Sequence, residues 1–140
     1  DLAVAADDSR FATSGINVGL FCSTPSVPVS RNLGRKQAME LLLTGHFIDA
    51  HTALQWGLVN RVVPASRLDQ EVADLAGSIM SKSWVAVATG KRMFYKQLEL
   101  PLESAYDYAS GVMAGNMMAD DVEEGVDAFM QKRTPVWKHQ

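Results

Sequence analysis

The chain has 140 residues, 47% of them hydrophobic and 21% charged, a balance near the globular average of about a quarter charged that excludes a disordered or fibrous chain. Sixteen acidic residues against thirteen basic ones give a formal net charge of −3, so there is no basic field to hold nucleic acid. No apolar stretch approaches the ~20 residues of a membrane span, and the single cysteine, Cys22, leaves no internal disulfide and no thiolate zinc site.

Asp1 opens the chain without an initiator Met or a targeting segment, which reads as a chain already in progress. Short apolar runs at residues 2–6 and 10–13, separated by Asp7, Asp8 and Ser9, predict a hairpin or a strand-loop-strand step. Residues 14–28 hold Gly15, Gly19, Pro25 and Pro28 and read as loop. Beyond Gly34 the spacing of Ala38, Met39, Leu41, Leu42 and Leu43 predicts a helix stopped by Thr44 and Gly45. Asp49 is placed to cap a short helix from Ala50 to Trp56, closed by Gly57. The segment 58–63 is β-prone and stops at Pro64.

Ser66 is expected to cap a helix in which Leu68, Val72, Leu75, Ala76 and Ile79 recur at three and four residues. Helices over about 85–98 and 102–118 follow, separated at Pro101. The last helix carries Asp120 three residues before Glu123, the spacing of a capping box, and ends before Thr134 and Pro135. No internal repeat is present. Strand and loop character at the front and helix behind it divide the chain into 1–64 and 65–140.

Few residues stand out as chemistry. His46, His51 and His139 lack a partner at helical metal-site spacing and suit surface or capping roles. Cys22 reads as an inert thiol, and the acidic cluster Asp120, Asp121, Glu123, Glu124 as helix capping. Lys132, Arg133 and Lys138 form a small basic patch beside Phe129 and Trp137, either solvated charge or a phosphate site with an aromatic platform. The seven methionines are expected in the core, with Met113 and Met117 on one helix face.

The segment GRKQAMELLLTGHFIDAHTALQWGLVNRVVP (34–64), with Gly34, Ala38, Thr44-Gly45, Ile48, Ala53 and Gly57-Leu58-Val59, resembles the enoyl-CoA hydratase/isomerase (crotonase) superfamily. DLAVAADDSRFATSGINVGL (1–20) is similar to the strand and active-site loop of that family, and EEGVDAFMQKRTPVW (123–137) to its C-terminal signature. The resemblance implies an α/β crotonase fold, with 1–64 the C-terminal part of its ββα spiral and 65–140 a helical trimerisation domain. It implies a homo-oligomer, a trimer or a dimer of trimers, and a coenzyme A thioester as substrate with no separate cofactor. In relatives the oxyanion-hole N–H groups and the first catalytic glutamate precede the point matched by Asp1.

The second catalytic glutamate of the hydratases aligns with Gly15, and Ser14 stands where a proline precedes it. Glycine has no proton to give or take. Gly15, Phe21 and Cys22 are expected as pocket wall near the acyl thioester, and Phe129 and Lys132 as contacts to the CoA nucleotide. Two functions follow from the resemblance: an acyl-CoA enzyme of lyase or isomerase type that stabilises an enolate, in fatty-acid metabolism, or a catalytically silent acyl-CoA binder or scaffold. The isolated 140 residues are expected to be inactive. Relatives point to the mitochondrial matrix or the bacterial cytoplasm.

Overall fold

A computed structural model describes residues 1–138; His139, one of the three histidines, lies outside the described residues. The chain divides into two compact units, Asp1–Asp74 and Leu75–Gln140. Among the described residues no helix is long and apolar enough to cross a membrane.

The first unit is built on two small sheets. Strand β1 (Val4–Ala6) pairs in parallel with β4 (Arg61–Val63), with Val4 opposite Arg61 and Ala6 opposite Val63. Strand β2 (Arg10–Phe11) pairs antiparallel with β3 (Ile48–Asp49). The aspartate turn after β1 therefore joins strands of different sheets, so the step is strand-loop-strand and not a hairpin. Asn60 extends the parallel pair, its amide N–H donating to the Ala3 carbonyl and its side-chain oxygen accepting from the Ala3 N–H, each at 2.8 Å.

Helix α3 (Ala50–Trp56) starts as expected: Asp49 accepts a hydrogen bond from the Thr52 N–H at 2.7 Å, and Gly57 ends it at φ 84. The Thr52 backbone N–H, then its side chain, then the nearby His51 and Arg10 charges hold the Asp49 carboxyl below its usual range. Ala50 and Ala53 are both 0% exposed and pack with Ala5 and Val59, against Phe11, Ile48, Leu58 and Val62. Small side chains on α3 let its backbone approach the β1–β4 pair closely, a fit that any added methylene would disturb. A second cluster, Leu33, Ala38 and Leu41, shares Ile48 and Leu58 with the first and so ties helix α2 (Arg35–Thr44) to the same core.

Residues 14–28 are not the loop that their glycines and prolines suggest. A 3-10 helix covers Ser14–Val18, and α1 runs over Ser23–Asn32. Pro25 falls in the first turn, where its missing N–H has no intrahelical partner to lose, and Pro28 removes one bond from a helix with no buried residue. Ser66 also differs: it lies inside a 3-10 turn, Ala65–Arg67, that leads directly into α4 (Leu68–Met80).

The second unit holds the end of α4 and helices α5 (Trp84–Gln97), α6 (Leu102–Asn116) and α7 (Asp120–Met130). Ser83 caps α5 by accepting from the Ala86 N–H at 3.2 Å. Helix α7 does not form a capping box: its N-cap is Ala119, without a side-chain bond, and Asp120 is already its first helical residue. The methionines depart from expectation as well. Met39 of the first unit is exposed, as are Met80, Met113, Met117, Met118 and Met130 of the second, where small residues such as Ala105 and Ala128 take buried positions.

Candidate functional site

The segment carrying Gly15, Phe21 and Cys22 is pinned before it is shaped. The buried Thr13 hydroxyl donates to the Leu41 carbonyl of α2 at 2.7 Å, and the Asn17 side-chain amide donates to the Gly45 carbonyl at 3.3 Å. Gly45, at φ 61, leaves room for this: a Cβ there would lie 2.7 Å from both Asn17 Oδ1 and Ile16 Cγ2. The chain then turns through Gly19 at φ 80, and the Leu20 N–H closes the loop on the Gly15 carbonyl at 3.0 Å.

That closure brings Gly15 and Cys22 together. A Cβ on Gly15 would stand 2.7 Å from the Leu20 carbonyl oxygen and 2.8 Å from Cys22 Sγ, both closer than real Cβ atoms come to a neighbour. Gly15 is outside the left-handed region, so space and not backbone conformation demands glycine here. The half-buried thiol and a carbonyl fill the volume that a side chain would need. Phe21 is 40% exposed, and the neighbouring Val18 and Leu20 are exposed too, giving this loop an apolar outer surface.

Near the C-terminus, Phe129 lies in the last turn of α7 and Lys132 just past its end. The Lys132 N–H donates to the Phe129 carbonyl at 3.2 Å and the Arg133 N–H to the Ala128 carbonyl at 3.0 Å, a helix ending that usually places glycine in the left-handed position. Lys132 occupies it instead, at φ 53, the one non-glycine residue with positive φ among those described. Phe129 is 80% exposed.

Residues after the turn are strapped back onto the second unit. Arg133 forms a fork with Glu124, Nη1 to Oε1 at 2.6 Å and Nη2 to Oε2 at 2.8 Å, and Glu124 Oε1 also accepts from the Val136 N–H at 2.7 Å. The Arg133 guanidinium, followed by the Val136 N–H, lowers the Glu124 carboxyl from its ordinary 4.5 to about 2. Arg133 is raised in turn by its bond to Glu124. Asp121, 3% exposed, accepts from the Ser83 hydroxyl and, at 2.7 Å, from the Lys138 N–H. Trp137 donates its indole N–H to the Ser81 carbonyl at 2.8 Å and lays its ring against Gly125.

These contacts divide the three cations of the basic patch. Arg133 belongs to Glu124 and Lys138 faces Asp120 at 3.9 Å, leaving Lys132 with no ammonium partner among the described residues. The acidic cluster is likewise not merely capping, since Asp121 and Glu124 hold the strap. Sequence reasoning missed both: Glu124 and Arg133 are nine residues apart across a helix end, and Ser83 and Asp121 thirty-eight apart, spacings with no local periodicity to reveal them. His46 and His51 are exposed, as a surface role requires. An open cleft of about 400 Å³ between α5 and α6, lined by residues including Val85, Arg92 and Tyr108, contains none of the expected site residues.

The enoyl-CoA hydratase/isomerase family pattern matches residues 1–140. Enoyl-CoA hydratase domain-containing protein 3, mitochondrial, of Rattus norvegicus is 51% identical over 139 residues, which cover 99% of this chain and 46% of the relative. Among solved structures, an enoyl-CoA hydratase of Mycobacterium smegmatis is 55% identical with a TM-score of 0.94, covering 98% of this chain and 53% of that one. Human enoyl Coenzyme A hydratase domain-containing protein 3 is 50% identical with a TM-score of 0.92, covering 98% and 54%. The chain thus spans about half the length of the curated relatives it matches.

Proposed function

The chain belongs to the enoyl-CoA hydratase/isomerase family and has its α/β crotonase fold, and from that premise we propose that the protein handles acyl-CoA thioesters without a carboxylate from position 15. The filled volume at Gly15 carries this reading. Where a second glutamate would stand, the Leu20 carbonyl and the Cys22 thiol crowd the position that a Cβ would take, so no side chain enters from Gly15 unless the loop shifts. Thioester polarisation by backbone N–H donors requires no side chain here, and it stabilises the enolate oxygen directly.

In this reading Gly15, Phe21 and Cys22 wall the acyl end, and Phe129 with Lys132 meets the CoA nucleotide, a lysine ammonium being suited to phosphate oxygens. The ligand is the coenzyme A ester itself, and the assembly is a trimer or a dimer of trimers. The exposed Met80, Met113, Met117 and Met130 give the second unit apolar surface for subunit contact. A mitochondrial matrix or bacterial cytoplasmic setting fits the relatives. The second reading, a silent acyl-CoA binder or scaffold, is favoured by the same glycine.

Titration calorimetry of the full-length protein with crotonyl-CoA and butyryl-CoA tests the common premise: both should bind, and heat from neither would end it. Hydration of crotonyl-CoA tests the rest. A slow or absent reaction is expected, and brisk hydration would overturn the view that position 15 withholds the needed group. Proton exchange at C2 of butyryl-CoA separates enzyme from binder, since only a protein that forms the enolate exchanges it.

A further inference from the structure

We infer that the Glu124–Arg133 pair is a positioning clamp for Lys132, holding its backbone in the left-handed turn so that its ammonium is presented to the phosphates of a CoA ester. The inference deepens the acyl-CoA reading above and rests on it. Its starting point is the mismatch at Lys132. A turn that served only to end α7 would be met with less strain by glycine, so a lysine at φ 53 is retained for its side chain. That side chain is exposed and its ammonium has no partner among the described residues, whereas Arg133 is committed to Glu124 and Lys138 lies near Asp120.

The clamp grips both sides of the turn. Arg133 Nε donates to Gln131 Oε1 at 2.9 Å, just before Lys132, and Nη1 reaches the Thr134 carbonyl at 3.4 Å, just after it. Both terminal nitrogens of the same guanidinium hold Glu124 on α7, and Glu124 also takes the Val136 N–H. Arg133 and Val136 are therefore tied directly to the Glu124 carboxylate, and the Gln131 side chain and Thr134 carbonyl to the same guanidinium, with Lys132 in their midst and its side chain left out of the network. A fork of this kind fixes direction as well as distance, which a lysine at position 133 would not do. Phe129, three residues before Lys132, is likewise exposed.

The experiment is a double-mutant cycle read by affinity in the full-length protein, with butyryl-CoA and with S-butyryl-pantetheine, which lacks all the phosphates. Lys132→Gly keeps the turn and removes the ammonium. It should weaken butyryl-CoA roughly tenfold and leave the pantetheine thioester unchanged. Glu124→Gln should weaken butyryl-CoA several-fold, and should add nothing once Lys132 is already glycine. Arg133→Lys repeats the second arm with the charge kept and the fork lost.

An equal loss from Glu124→Gln with and without Lys132, or a loss that extends to the pantetheine thioester, would make the clamp a general fold element and overturn the inference. Weakening by Lys132→Gly alone, with Glu124→Gln and Arg133→Lys harmless, would sink the clamp and spare the Lys132 assignment. An unchanged affinity in Lys132→Gly would remove both.

Discussion

Gly15 and Lys132 are opposite solutions to the same local problem. Gly15 has a backbone conformation open to any residue, yet a Cβ would meet the Leu20 carbonyl and the Cys22 thiol. Lys132 has the backbone that favours glycine, at φ 53, yet carries one of the longest side chains available. At the first position the surroundings forbid a side chain; at the second they hold one in spite of its backbone. A glycine and a missing glycine are each informative only when the space and the dihedral are considered together.

The comparison breaks most sharply at Gly15. Gly15→Ala should cost about 1–3 kcal/mol as an overpacked site, and Gly15→Glu more, measured by urea unfolding. An unperturbed midpoint for Gly15→Ala would show that the loop yields and that space was not the constraint. Adding Cys22→Ala should recover part of the loss and no more, because the Leu20 carbonyl remains. For the same reason Gly15→Glu alone does not cleanly restore a catalytic carboxyl: failure to gain hydration would follow from the shifted loop as readily as from missing partners.

Ser83→Ala comes next, at about 1–2 kcal/mol, since it removes the α5 cap and one donor to the buried Asp121. Lys132→Gly should instead stabilise, by less than about 1 kcal/mol: relief of a left-handed non-glycine backbone, about 1–2 kcal/mol, is offset by the greater unfolded-state freedom of glycine. Destabilisation by Lys132→Gly would mean that the lysine stem packs in the native state and would blunt the contrast with Gly15.

The smallest effect is a pH dependence. Glu124 is held at about 2 against an ordinary 4.5, so its contribution is fully present above pH 4.5 and is lost as pH falls toward 2. Glu124→Gln should therefore lower stability above pH 4.5 and converge on the parent as pH falls toward 2, which flattens the acid limb within that window. An acid limb identical to that of the parent would place the ion pair among those too solvated to matter.

Much of the first unit was legible because its signals are local. Asp49 three residues before Thr52, Gly45 and Gly57 after apolar periodicity, and Pro64 after a β-prone run each act within one turn of chain. Helix α1 was hidden because Pro25 and Pro28 read as breakers, although Pro25 sits in the first turn, where it breaks nothing, and Pro28 costs a single bond. Asp120 had the spacing of a capping box, but Ala119 takes the cap and the neighbouring carboxylate of Asp121 is drawn to Ser83. At the candidate site the absence of a carboxyl at Gly15 could be read from the sequence, whereas the reason no side chain fits could not. It depends on a thiol seven residues away and a carbonyl five away being folded back onto one point. The Glu124–Arg133 pairing was equally silent, since neither helical nor strand periodicity relates its members.

Of the three tryptophans, Trp56 belongs to the first unit and Trp84 is exposed, whereas Trp137 donates its indole N–H to Ser81 and rests on Gly125. Nature has thereby placed a fluorophore on the tail that follows the Lys132 turn. With the other two replaced by phenylalanine, detachment of that tail becomes an optical signal, resolvable in time from melting of the rest without any label.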